Sequence, residues 1–422
     1  MWELAYKQIR ANKRSTLWLL TELFVVSILL WYCVDFLYVI GAKRMEPQGV
    51  NTEHVYKVTM RFMPKRTLDS YSDEEREQLI MAPREQIFRM LQEHPSVESA
   101  TYFLGTELYA TDPMFQAYRR EGQEQEEDRY YNGMVRYVEE HFFEVFRIAM
   151  VQGQIGDWQN STFPQSAVVT EVFTDSVFGE KDVIGKRFYD VSLMEGKDDY
   201  YTVTAIAQPT KFDIYSPYTS FVYLPIPKFA QYMGYPFIIR VKENVDSPRF
   251  AEDFFSEIKD KLQIGDYYPF KVESYGKIKS KFDLSLGIPL YISIAIGLVV
   301  FFLFIVFIGI IGSYWFMVQS RRGEVALRMV VGSSPSQVTT FLMRESTMVL
   351  LMAYIPALFS MVALAYFEIT YTFQECMPYT WGRFWVTQAI TFVVLLVVVL
   401  LGVVIPARRA SKLDPAVILN EE

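Results

Sequence analysis

Residues 287–318 contain no charged side chain. As a helix rising 1.5 Å per residue, such a run extends roughly 48 Å, well beyond the ~30 Å hydrocarbon core of a bilayer. In lipid, a chain must satisfy its own backbone hydrogen bonds, so a run of this kind becomes a spanning helix. Three further apolar runs follow the same logic: residues 17–40, 347–367 and 384–405. The chain therefore reads as a membrane protein with four transmembrane α-helices. Glu22 and Asp35 fall inside the first run but near its ends, where a charge costs less than the ~2.5–3.5 kcal/mol of the bilayer centre. The second run is too long for one crossing. Its first part should project as a stalk (286–318 in all) that continues residues 277–286, with Pro289 as a kink.

Between the first and second runs lie residues 41–285, which are soluble in character. They hold 29 of the 41 basic and 39 of the 49 acidic residues. The rest of the chain is mildly basic, and an acidic aqueous domain beside a basic membrane part argues against nucleic acid as a partner. Basic residues cluster in short flanks: Lys7, Arg10, Lys13 and Arg14 in segment 1–16, then Arg321, Arg322, Arg328 and Arg344 in 319–346, then Arg408, Arg409 and Lys412 in the tail 406–422. The loop 368–383 carries only Arg383. Positive charge marks the inner side, so both termini are cytoplasmic, and residues 41–285 and the short loop are outside. Segment 1–16 is basic and amphipathic, suited to a lipid surface. A cleaved signal peptide is the competing reading, but no A-x-A site follows the long run, which favours an uncleaved anchor. Cys33 and Cys376 cannot make a disulfide framework and read as free thiols.

The outer segment mixes strand and helix signals without strict alternation, the mark of an α+β domain. Residues 55–62 alternate with a period of two, as a half-buried strand does. Further strands are expected at 97–104, 134–138, 167–170, 201–207, 221–224 and 237–242, and helices at 73–93, 139–146, 171–178 and 248–262. The acidic run 121–128 reads as a solvated loop.

Between the second and third runs stands Arg321-Arg322-Gly323-Glu324-Val325-Ala326-Leu327-Arg328-Met329-Val330-Val331-Gly332-Ser333-Ser334. Helical spacing puts Arg321, Glu324 and Arg328 on one face. Val325, Leu327, Met329 and Val330 cover the rest, and Gly332 is a C-terminal stop. A charged helix between two spans cannot lie in hydrocarbon. It lies at the membrane surface or against another protein, and on spacing alone a loop that only fixes topology explains it as well.

The pattern closely resembles the coupling segment of MacB/FtsX-type ABC transporter permeases, R-x-E-(aliphatic)-(small)-(aliphatic)-R-x-x-x-G-(small). The tail from Pro406 through Arg408, Arg409, Asp414 and Pro415 to Leu419 resembles that family's P-A-(R/x)-x-A-(A/S)-(K/R)-(aliphatic)-(D/x)-P-x-x-x-L ending. In the outer domain, His141-Phe142-Phe143-Glu144-Val145-Phe146 with Gly153, and Ala167-Val168-Val169-Thr170-Glu171 with Phe178-Gly179 and Gly185-Lys186, are similar to two further family elements. Physically these read as packing and turn elements. The segment 62–83 and the acidic run have no counterpart in the family pattern.

The resemblance implies a permease subunit in the bacterial inner membrane, with a MacB-like periplasmic core domain. It implies a homodimer or heterodimer of permeases with two cytoplasmic ABC ATPase subunits, and it leaves open a periplasmic adaptor and an outer-membrane channel. Arg321, Arg322, Glu324, Leu327, Arg328 and Gly332 would form the ATPase-coupling segment, with Glu324 and Arg328 in contact and Arg321 and Arg322 at the headgroups. Export of a small molecule or peptide is the leading function. The alternatives are a lipoprotein-releasing or cell-division permease of the same family, and a membrane scaffold without an ATPase.

The chain itself has no G-x-x-x-x-G-K-[ST] with which to cradle a nucleotide, so ATP and magnesium belong to the partner and the chain carries no cofactor of its own. His54, His94 and His141 are far apart and make no zinc spacing with two cysteines. No G-x-S-x-G nucleophile elbow occurs. The spans hold no continuous set of interior charges, so no wide polar channel is expected.

Overall fold

The computed structural model describes residues 13–63, 71–110, 113–123, 130–156, 158, 166–191, 200–227, 235–367 and 377–410. These form two units, one made of residues 1–44 and 288–422 and the other of Met45–Gly287.

The chain enters through helix α1 (Lys13–Met45), whose apolar length leaves its side chains little to do but pack. Ser27, buried inside it, is neutralised by donating to the Leu23 carbonyl at 2.6 Å. The outer unit then opens with strand β1 (Val55–Phe62), where residues alternate between core and surface. A short helical turn and a π-turn (Glu77–Met81) lead into α2 (Ala82–Gln92). The strands that follow are β2 (Val97–Gly105), β3 (Phe115–Arg120), β4 (Tyr131–Val138), β5 (Met150–Gly153), β6 (Ser166–Thr170), β7 (Arg187–Asp190), β8 (Tyr200–Ala207), β9 (Phe221–Pro225) and β10 (Phe237–Val241). Helix α3 (Phe250–Lys261), strand β11 (Tyr267–Ser274) and helix α4 (Tyr275–Ser285) complete the unit.

Two subassemblies share one sheet. Strands β11, β1, β10 and β2 are antiparallel neighbours. Their inner face carries Tyr56, Val58, Ala100, Phe237 and Ile239, which pack against Ile87 and Leu91 of α2 and Phe250, Phe254 and Ile258 of α3. Beyond β2 the sheet curls on itself. Strand β4 pairs with β3 on one edge and with β9 on the other, and β3, β7, β8, β6 and β9 run in sequence back to β4. This six-stranded ring leaves no free edge among its members, the usual protection against edge-to-edge pairing. It is filled by Tyr118, Phe173, Phe188, Tyr201, Val203 and Val222. The outer unit is thus α+β.

Strands β3, β5, β7 and β11 carry no clear sequence signal. Two of them have only four residues, and β11 is interrupted by Pro269 and bears Lys271 and Glu273, residues that belong on a sheet edge. The acidic run continues past Gln123 into residues outside those described, as does part of segment 62–83.

The expected continuous stalk is not formed. Helix α4 ends at Ser285, and Gly287 takes φ +69°, a left-handed conformation that a helix cannot pass through. Helix α5 (Ile288–Ser320) starts afresh, with Pro289 in its first turn. There it costs no hydrogen bond and makes no kink.

Helices α6 (Arg322–Val330), α7 (Pro335–Tyr366) and α8 (Trp381–Ala410) complete the membrane unit. Helices α1, α5, α7 and α8 are each long and apolar enough to cross a membrane. Their shared core includes Leu30, Trp31, Ile310, Leu350, Ala357, Phe384, Leu395 and Val403.

Candidate functional site

The turn between α5 and α7 is built by sequence-local devices. Arg321 leaves helical geometry at φ −120°, ψ 22°, which ends α5 and starts α6. At the far end of α6, the Ser333 amide donates to the Arg328 carbonyl at 2.9 Å and the Gly332 amide to the Met329 carbonyl at 3.1 Å. This is the Schellman pattern, which needs a left-handed residue. Gly332 supplies it at φ +105°, with open space where a Cβ would stand. Ser334 and Gln337 then form a reciprocal capping box, with Pro335 in the first turn of α7. The expected loop up to residue 346 is therefore mostly helix. Hydropathy reports where hydrocarbon begins, whereas caps decide where a helix begins.

Helix α6 lies on its neighbours by Ala326, which is fully buried, with Val325 and Met329 against the membrane core. Its other face exposes Leu327 (56 %) and Val330 (59 %), and the cap residue just after it, Val331, is 80 % exposed. These three are spaced i, i+3, i+4 and form one apolar stripe. Glu324 and Arg328 pair with each other at 2.7 Å across one helical turn. Such a pair is worth only about 0.3–0.5 kcal/mol. Arg328 also stacks on Phe341 of α7, 4.3 Å from its ring centroid. Arg322 is exposed. Arg321 does not point outward to headgroups. It turns into the bundle and meets Glu345 of α7 at 3.1 Å, where the carboxylate is fully buried. No sequence signal marks Glu345, which lies just before the apolar run. The inward pair fastens the start of α6 to α7, and removing one partner of such a pair typically costs about 3–5 kcal/mol.

The tail reaches the same end of the helix unit. Pro406 is inside α8, and Arg409 lies over Trp315 of α5 at 5.1 Å. Arg408 is exposed. Asp414 and Pro415 lie outside the described residues.

At the opposite end, a second polar cluster holds α1, α7 and α8 together. The Arg383 Nε donates to Asp35 at 2.9 Å and Nη2 reaches the other carboxylate oxygen, both groups being buried. Nη1 donates to the Met377 carbonyl at 3.1 Å, and the guanidinium sits 4.9 Å from the Tyr379 ring. Trp31 Nε1 donates to Thr387 at 3.0 Å, and the Tyr354 hydroxyl donates to the Gln388 side chain at 2.6 Å. Arg383, Thr387, Gln388 and Thr391 are all buried on α8. Their spacing of four, one and three residues is a legible signal of one polar helix face. Asp35 thus owes its place to a partner rather than to a position near the headgroups.

In the outer unit each histidine meets a carboxylate: His54 with Asp246 at 2.6 Å, His94 with Glu257 at 3.2 Å, and His141 with Glu139 at 2.5 Å. Glu139, Glu140 and His141 bring three ligand-type atoms within 4.8 Å. Glu139 also accepts from the His141 amide at 3.0 Å, so the group reads as a hydrogen-bonded turn. Cys33 is a buried free thiol, and Cys376 is outside the described residues.

Residues 36–254 match the MacB-like periplasmic core domain, and residues 296–415 match the FtsX-like permease C-terminal domain. The chain belongs to the MacB/FtsX-type ABC transporter permeases. No curated protein sequence matches this permease. Among solved structures it is similar to the periplasmic region of MacB from Actinobacillus actinomycetemcomitans: 12% identity, 57% of this chain, 98% of that one, TM-score 0.35. A domain of a putative permease protein from Porphyromonas gingivalis matches at 14% identity, covering 54% and 93%, TM-score 0.33. The extracellular domain of the noncanonic ABC-type transporter YknZ from Gram-positive bacteria matches at 9% identity, covering 51% and 100%, TM-score 0.30. This MacB/FtsX-type permease is an inner-membrane protein with four membrane helices and an α+β domain inserted after the first.

Proposed function

We propose that this permease relays ATP-driven motion from a cytoplasmic ATPase to its outer domain, and that it does so for export of a small molecule or peptide. In this reading α6 is the foot on which the ATPase bears. The observation that carries it is the exposed stripe of Leu327, Val330 and Val331 on a helix otherwise fastened down at Ala326 and Arg321. A short helix that exposes apolar side chains at the end of a membrane unit needs a cover. Because Glu324 and Arg328 engage each other and Phe341, their role is to brace the foot, while the apolar stripe makes the contact. Such a foot transmits force because it is short, closed at its C-terminal end by the Gly332 turn and tied to α7 by a buried ion pair. The cytoplasmic placement of both termini rests on the basic flanks.

The test is copurification with the cytoplasmic ATPase subunit this reading requires, together with ATP hydrolysis by the complex. Leu327→Asp with Val330→Asp should abolish copurification while membrane insertion is kept. Glu324→Lys should keep copurification but uncouple hydrolysis from outer-domain movement. Wild-type copurification by the double variant would refute the assignment.

A further inference from the structure

Arg84 and Arg240 are both buried in the outer domain, yet they are treated differently. Arg240 spends its donors on backbone: Nε on the Val145 carbonyl at 2.6 Å, Nη1 on Glu53 at 2.8 Å and Nη2 on Asn51 at 2.7 Å. That is a structural arginine, satisfied by the fold around it. Arg84 is 4 % exposed, and both of its Nη atoms are buried without a hydrogen-bond partner. It stands in the first turn of α2, directly after the π-turn Glu77–Met81. Insertions of this kind often mark functional positions. Its guanidinium carbon is 4.6 Å from the Phe237 ring, 5.1 Å from Tyr102 and 5.8 Å from Tyr235. The hydroxyls of Tyr235 and Tyr267 are also buried without partners. The ionisable side chains that face Arg84 are Tyr267, Tyr102 and Tyr235, phenols that burial keeps neutral, and none is a carboxylate. Burial pushes the guanidinium pKa down.

We propose that Arg84, with the hydroxyls of Tyr235 and Tyr267, forms a subsite for one carboxylate group at the end of the β2–β10–β1–β11 sheet. Ring faces can stabilise the cation, but they do not balance its charge. Water could satisfy the hydrogen bonds but brings no charge either. A carboxylate does both: its two oxygens match the forked Nη donors and still accept from two hydroxyls. Its single charge also matches one guanidinium, whereas a phosphate carries up to two near neutral pH. The subsite is independent of the ATPase foot and would take either a small carboxylic acid or the C-terminus of a peptide.

The experiment follows thermal unfolding of the full-length protein in detergent by tryptophan fluorescence. The probes are sodium acetate, triglycine and triglycine amide, with sodium chloride at matched ionic strength. Acetate and triglycine should raise the midpoint saturably, by roughly 2–4 °C. Chloride and the amide should not. Arg84→Met should lose the response. Tyr235→Phe and Tyr267→Phe, which keep the ring volume, should raise the half-saturating concentration roughly three- to tenfold. Saturation by triglycine below acetate points to a peptide terminus, and equal saturation to carboxylates in general; either supports the subsite. An acetate response equal to that of chloride overturns it. So does an unaltered response in Arg84→Met or in both tyrosine variants.

Discussion

Asp35→Leu removes the counter-charge of Arg383, a residue that is 5 % exposed, while Asp35 itself is 1 % exposed. Arg383 keeps its bond to Met377 and its place over Tyr379, but the charge–charge contact with Asp35 is gone. In a soluble core, removing one partner of a buried pair costs about 3–5 kcal/mol. Here Arg383 stands in the first turn of α8, near the edge of the span, so part of its side chain can reach toward water. That relief lowers the expected cost to about 2–4 kcal/mol. Replacing both partners, as Asp35→Leu with Arg383→Met, removes the uncompensated charge. The double variant should then lie within about 1 kcal/mol of wild type. The interaction term of the cycle should be at least about 2 kcal/mol. Unfolding by sodium dodecyl sulfate in mixed micelles, followed by circular dichroism, measures the four corners of the cycle: wild type, Asp35→Leu, Arg383→Met and the double variant. Two single-variant costs that simply add in the double would refute the pairing argument, because additive sites do not interact.

Two further outcomes are expected. Gly332→Ala places a Cβ on a residue held at φ +105°, which should cost about 1 kcal/mol or more by strain alone and loosen the α6–α7 turn; ATPase activity of the assembled complex should fall while copurification persists. His141 has its pKa raised: burial lowers it, but the Glu139 hydrogen bond and the charges of Glu139, Glu140 and Glu144 outweigh that. The stability this supplies is full below the ordinary histidine value of 6.5 and is lost as pH rises through the raised one. The unfolding midpoint should therefore fall less between pH 6 and 8 in His141→Asn than in wild type, and equal slopes would count against it.

The outer domain shows where sequence reading reaches its limit. Strand β1 is legible because its alternation is strict over eight residues. Strand β7, with four residues, is a strand only because β3 and β8 stand on either side to pair with it. The ring closure through β4 and β9 is likewise a long-range pairing without local signature. At the α6 foot, the Gly332 stop and the Ser334 cap are local and could be read directly. Which charges face inward could not.

What the sequence determined alone is the partition into lipid and water. Four uncharged or nearly uncharged runs must become helices, and an acidic segment between the first two must stay outside them, because the cost of bare backbone and charge in hydrocarbon leaves no other solution. Only the tertiary structure decided which charges are structural. Arg321 and Glu345, Asp35 and Arg383, and the solitary guanidinium of Arg84 are set by what each meets across space. Spacing along one chain carries no record of that distance.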